Sequence, residues 1–230
     1  MNTKLLSALT ATAAATALFG AGAPAQAFSF GTNGITFSQD TSVKFNFKES
    51  HGGYTSSLGI YTVKDSAATL VSTLFSETKS SDNTWENEWK GTLGNTVLGS
   101  GSAVFTFLAN QIYTLGLNSG GNGSVYSTSA LNSGSQQAVF GAQSQLWNAL
   151  DKETTNVFQA AGQFTNGTGS LFNGGTLIGF DDRGGGNDTD FQDFTVSAEA
   201  VPEPMTMTGL ALGLGGLVAA RRRRASKTTS

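Results

Sequence analysis

Cysteine is absent from this 230-residue chain, histidine occurs once and proline three times. Without cysteine there is no disulfide framework, no thiolate metal site and no thiol nucleophile, and a single histidine cannot supply the paired imidazoles of most zinc centres. Charge is scarce too: Asp, Glu, Lys and Arg make up 13% of the residues, where about a quarter is usual. The chain is instead rich in glycine, with 30 residues, and its 38% hydrophobic and 10% aromatic content is enough to build a core. The length accommodates one domain or two small ones and excludes a large multidomain enzyme.

The few charges are unevenly placed. Residues 28–204 hold seven Lys or Arg and all 16 Asp and Glu, a balance of −9. An acidic body of this kind argues against nucleic acid and anionic membrane as partners.

Both ends look like addresses. Lys4, an apolar Ala- and Thr-rich run to Ala23, and Ala25-Gln26-Ala27 have the three parts of a secretory signal peptide, which predicts removal of residues 1–27 and a mature chain starting near Phe28. Near the other end, residues 205–220 carry no charge and Arg221, Arg222, Arg223 and Arg224 follow at once. As a helix, sixteen residues span about 24 Å against a hydrocarbon core of about 30 Å, so this segment suits a short, transient transmembrane helix. The arginine block keeps residues 225–230 cytoplasmic and leaves the body on the exported side.

Val201-Pro202-Glu203-Pro204, the glycine-rich apolar span and the arginine cluster together resemble the PEP-CTERM sorting signal of bacterial envelope proteins, covering residues 201–224. The resemblance implies recognition of the Pro-Glu-Pro motif by a membrane-embedded exosortase and removal of the tail. It implies an exported protein of the cell envelope or extracellular matrix that passes through an inner-membrane intermediate, with signal peptidase and exosortase as processing partners.

The body, 28–200, reads as strands. Phe28, Phe30, Ile35, Phe37, Val43, Phe45 and Phe47 alternate with polar residues, and similar short runs recur at 58–63, 103–108, 112–117, 176–180 and 191–196. Turn chemistry such as Asn33-Gly34, Gly52-Gly53 and Asn173-Gly174-Gly175 separates them. This pattern predicts a mainly β fold, an antiparallel β-sandwich or jelly-roll, with one short helix over 136–150.

Five carboxylates, Asp181, Asp182, Asp188, Asp190 and Asp193, fall within thirteen residues, interrupted by Arg183 and three glycines. Like charges 4 Å apart repel by about 1 kcal/mol in water and about 4 kcal/mol at an effective dielectric of 20, so converging them requires a cation or a proton. Oxygen donors without Cys or His point to Ca²⁺ before any transition metal; the alternative is a solvated acidic turn between strands. An EF-hand is excluded, because with Asp188 as first ligand the sixth position is Asp193 where glycine is required.

Gly179-Phe180-Asp181-Asp182, Gly184-Gly185-Gly186 and Asp188-x-Asp190-Phe191-x-Asp193 also resemble the closing motif of a β-rich domain of unknown function found in bacterial envelope and PEP-CTERM proteins. Glu49 to Tyr54, followed by Leu58 to Tyr61, resembles that family's early aromatic and glycine hairpin. The resemblance implies a compact sandwich with Ca²⁺ at the aspartate loop and no established reaction.

Trp85-Glu86-Asn87-Glu88-Trp89, if a strand, presents two tryptophans on one face as candidate glycan contacts and two glutamates on the other. This motif keeps two further readings open, a carbohydrate-binding adhesin engaging an extracellular polysaccharide through Trp85 and Trp89, and a glycoside-acting enzyme using Glu86 and Glu88. His51, in Ser50-His51-Gly52-Gly53, is expected in a turn; no G-x-S-x-G elbow accompanies it, and the glycine-rich stretches lack the Lys-Ser/Thr of a phosphate loop. The expectation is therefore a non-catalytic protein.

Overall fold

A computed structural model describes residues 27–84, 89–141, 171–172, 174–182 and 191–202. Among the described residues eleven strands form two antiparallel sheets. In chain order they are β1 (Phe28–Gly31), β2 (Gly34–Phe37), β3 (Thr41–Ser50), β4 (Ser57–Lys64), β5 (Ala67–Ser76), β6 (Ser102–Phe107), β7 (Tyr113–Asn118), β8 (Ser124–Tyr126), β9 (Ala138–Phe140), β10 (Thr176–Phe180) and β11 (Phe194–Ala200). One sheet runs β1-β2-β7-β4-β5, with β8 also on β7; the other runs β6-β3-β11-β10-β9. The mainly β sandwich expected from the alternation is the observed fold.

The alternation explains why β3 pairs as it does. Val43, Phe45 and Phe47 are buried while Ser42, Lys44 and Asn46 face outward, so a one-residue slip would expose the whole apolar set. The outward residues make a polar ladder across three strands: Ser42 Oγ meets Thr106 Oγ1 at 2.9 Å, Lys44 Nζ lies 3.8 Å from Glu199, and Ser102 Oγ donates to Asn46 Oδ1 at 2.6 Å. Between the sheets, Phe107 sits among rings of Phe30, Phe37, Phe45, Phe105 and Tyr113, with centroids 4.9–6.5 Å apart. Tilted and edge-on pairs of this kind add to the area each ring removes from water.

Two differences from the sequence reading concern secondary structure. Residues 138–140 form β9, paired with β10 through Ile178–Phe140 and Phe180–Ala138, where a helix over 136–150 was expected; 142–150 lie outside the described residues. Ala138, Val139 and Phe140 are all buried, and a run apolar on every side satisfies a strand covered on both faces as well as a helix. The last strand begins at Phe194, not at Phe191, because Phe191–Asp193 crosses over the end of β10.

β5 was not foreseen. It is an edge strand with exposed residues on both faces, and it carries two register shifts against β4, so its apolar residues follow no period of two. Among the described residues no helix is long and apolar enough to cross a membrane; residues 1–26 of the expected signal peptide 1–27 and the expected span 205–220 lie outside them.

Candidate functional site

Polar side chains are gathered where β3, β5 and β10 end and β11 begins. β3 finishes at Ser50 opposite Phe194, the first residue of β11, and β10 finishes at Phe180, opposite the start of β9. His51, Glu77, Asp181, Asp182, Gln192 and Asp193 are all buried at this end of the sandwich.

Glu77 joins three elements. It accepts the Ser50 hydroxyl on Oε1 and the Ser56 N–H on Oε2 at 2.7 Å, while Ser56 Oγ meets Ser119 Oγ at 2.9 Å. Burial disfavours its charged form, the nearby Asp182 carboxylate adds to that, and the two hydrogen bonds only partly compensate; the carboxyl is pushed up to about 7. Glu49 is the opposite case. Burial pulls its pKa up, but the hydrogen bonds and charges of His51 and Lys90 outweigh it and hold the group below its ordinary value. The Lys90 ammonium is 2.9 Å from Glu49 Oε2 and His51 Nε2 is 3.4 Å from Oε1.

The aspartates that open and close the acidic motif meet across the strand ends. Asp182 N–H donates to Asp193 Oδ2 at 2.8 Å, Asp193 carbonyl accepts from His51 N–H at 3.2 Å, and Asp181 N–H donates to the Gln137 carbonyl at 3.1 Å. Two glycines make the approach feasible. A Cβ on Gly179 would sit 2.2 Å from the Phe191 carbonyl oxygen, and one on Gly52 would sit 2.5 Å from Asp182 Oδ2, so any side chain there would push the returning loop off the sheet end. Asp82 organises the neighbouring loop: its carboxylate accepts from Thr92 N–H, Thr92 Oγ1 and Thr96 Oγ1 at 2.6–3.1 Å.

Asp182 and Asp193 are thus brought together, Asp181 is buried beside them in the chain, and Asp188 and Asp190 lie outside the described residues. Among the described residues no three His, Asp or Glu side chains converge as a metal cage. His51 is outside the strands, as expected, but only 3% exposed. Trp89 stands half-buried in a turn at φ 60°, not on a strand where it would share a face with Trp85, and Trp85, Glu86 and Glu88 lie outside the described residues. Val201 and Pro202 directly follow β11, with Glu203, Pro204 and Arg221–Arg224 beyond the described part.

Glu77 went unnoticed in the sequence, where one acid after an apolar strand looks like an ordinary strand end. No family model, curated protein or solved structure matches the chain.

Proposed function

We propose that the chain is a non-catalytic, exported protein of the cell envelope or extracellular matrix, made with a removable signal peptide at 1–27 and released or retained through a PEP-CTERM-type signal at 201–224. The observation that carries this reading is the order Val201-Pro202-Glu203-Pro204, sixteen uncharged residues and four arginines. A Pro-Glu-Pro segment cannot enter a helix interior and stays extended at the bilayer surface, where an exosortase has access to it.

Calcium belongs to the same proposal. Asp181, Asp182 and Asp193 supply its oxygens together with Asp188 and Asp190, which lie between them in sequence, and the ion offsets the repulsion among the carboxylates. Calcium is then expected to raise the melting temperature, and the pair Asp188→Ala, Asp190→Ala to abolish the rise; an unchanged melting temperature in wild-type protein removes the calcium part alone.

Intact-mass measurement on protein from cells and from medium tests the main reading. The expected product starts near Phe28 and ends between residues 201 and 204. Full-length chain dissolved in the cytosol would refute it.

A further inference from the structure

The two ends of the body converge. β1 starts at Phe28, whose ring is 5.9 Å from Phe37 and 5.4 Å from Phe172, and the residue beside Phe172, Leu171, accepts the Ala200 N–H at 3.0 Å through its carbonyl. One short segment, 171–172, thus touches the first strand and the last. The antiparallel register fixes which pole this is. β11 runs from Phe194, opposite Ser50, to Ala200, opposite Val43, so the chain ends and the carboxylate cluster stand at opposite poles. Six steps along a strand separate them by about 20 Å.

At the terminal pole several apolar side chains meet solvent, beside the exposed polar residues Ser38, Gln39, Asp40 and Asn110. The β6–β7 loop lies there, because Phe107 pairs with Thr41 and Asn110 N–H reaches the Phe37 carbonyl at 2.8 Å. That loop exposes Leu108 (55%) and Ile112 (50%), and Phe172 (39%) and Val201 (37%) complete the set. Its described charges are few and mixed. Asp40 accepts Ala109 N–H, Lys44 faces Glu199, and Lys64 and Asp65 occupy the β4–β5 turn beside Ile112. Glu49, Glu77, Asp82, Asp181, Asp182 and Asp193 are at the far pole.

We infer that the terminal pole is a membrane-docking surface: while the tail is attached, the sandwich rests on the lipid bilayer through Leu108, Ile112, Phe172 and Val201, with its carboxylate pole turned away. The inference rests on the export-and-tether reading. Pairing persists to Val201, and in sequence only Pro202-Glu203-Pro204 separates it from the uncharged span. Three residues reach about 10 Å at full extension, so no linker lets the body stand off from the interface. Apolar side chains flanked by lysines suit the headgroup boundary, where Lys44 and Lys64 balance two of the three local acids, Asp40, Asp65 and Glu199, and distance keeps the clustered carboxylates of the far pole from an anionic leaflet.

The absence of cysteine makes the test direct. Full-length chain carrying Leu108→Cys, Ile112→Cys or, at the far pole, Gly53→Cys is labelled with an environment-sensitive fluorophore and reconstituted in phosphatidylethanolamine–phosphatidylglycerol vesicles containing brominated lipid. Labels at 108 and 112 are expected to shift to the blue and to be quenched several-fold more than the label at 53. Vesicle-bound protein in which all three labels report water overturns the docking surface and leaves the tether reading intact. Protein that does not stay with the vesicles overturns both.

Discussion

Around Phe107, at the terminal end of the sandwich, five aromatic rings are gathered. Around Glu77, at the other end, the space between strand ends is filled by hydroxyls, N–H groups and acids. Both regions are buried, but they are stabilised differently. The ring cluster gains from area removed from water and from close packing, which do not depend on pH. The polar end is stable only while each donor keeps its acceptor and each acid keeps a suitable protonation state.

The largest expected difference between the two regions follows from Phe107→Ala. It leaves a cavity bordered by five rings and is expected to cost about 3–5 kcal/mol by denaturant unfolding. Loss of less than 1 kcal/mol would show that the apolar end is loosely packed.

Next comes Glu77→Ala, which strands the Ser50 hydroxyl and the Ser56 N–H and should cost about 1–3 kcal/mol. The same residue supplies a pH signature. A carboxyl raised from 4.5 to about 7 in the folded state binds its proton more tightly there than in the unfolded chain. Its contribution is therefore complete below pH 4.5 and lost as pH rises to about 7. Glu49, held below its ordinary value, works in the reverse sense, its contribution present above pH 4.5 and lost on acidification. Melting curves of Glu77→Gln between pH 4.5 and 7 should lack the wild-type decline due to this group, whereas Phe107→Ala should shift the whole profile without changing its shape.

Asp82→Ala removes an acceptor shared by three donors on a partly exposed loop, with an expected loss of about 1–2 kcal/mol. Lys44→Ala completes the series. Its pair with Glu199 is on the open face of the sheet and should be worth less than about 1 kcal/mol, measurable as a small, salt-sensitive change in midpoint.

The apolar region was legible in the sequence and the polar one largely was not. Phe30, Ile35, Phe37, Val43, Phe45 and Phe47 announce a half-buried sheet by spacing alone, because a strand with one face in water must alternate. β9 escaped because three buried residues in a row leave no period to detect, and β5 because it alternates against nothing. The acidic motif drew attention through its density, yet its link to His51, Gly52 and Glu77 depends on β3 and β5 ending beside β10. Their separation of more than 100 residues in the chain carries no local signal. Trp89 failed as a strand residue because its left-handed backbone belongs to a turn that neighbouring side chains do not specify.

The two register shifts in β5 have a consequence for solutions crowded with copies of this chain. From Ala67 to Ser76 the strand has no charge and no proline, the usual guards of an open edge. Because Val71 and Leu74 are each surplus to the ladder with β4, the rim is bent twice and its longest straight stretch is Ala67–Leu70. Four residues give a neighbouring molecule little purchase for templated, fibre-like growth, so crookedness does here what lysines do elsewhere.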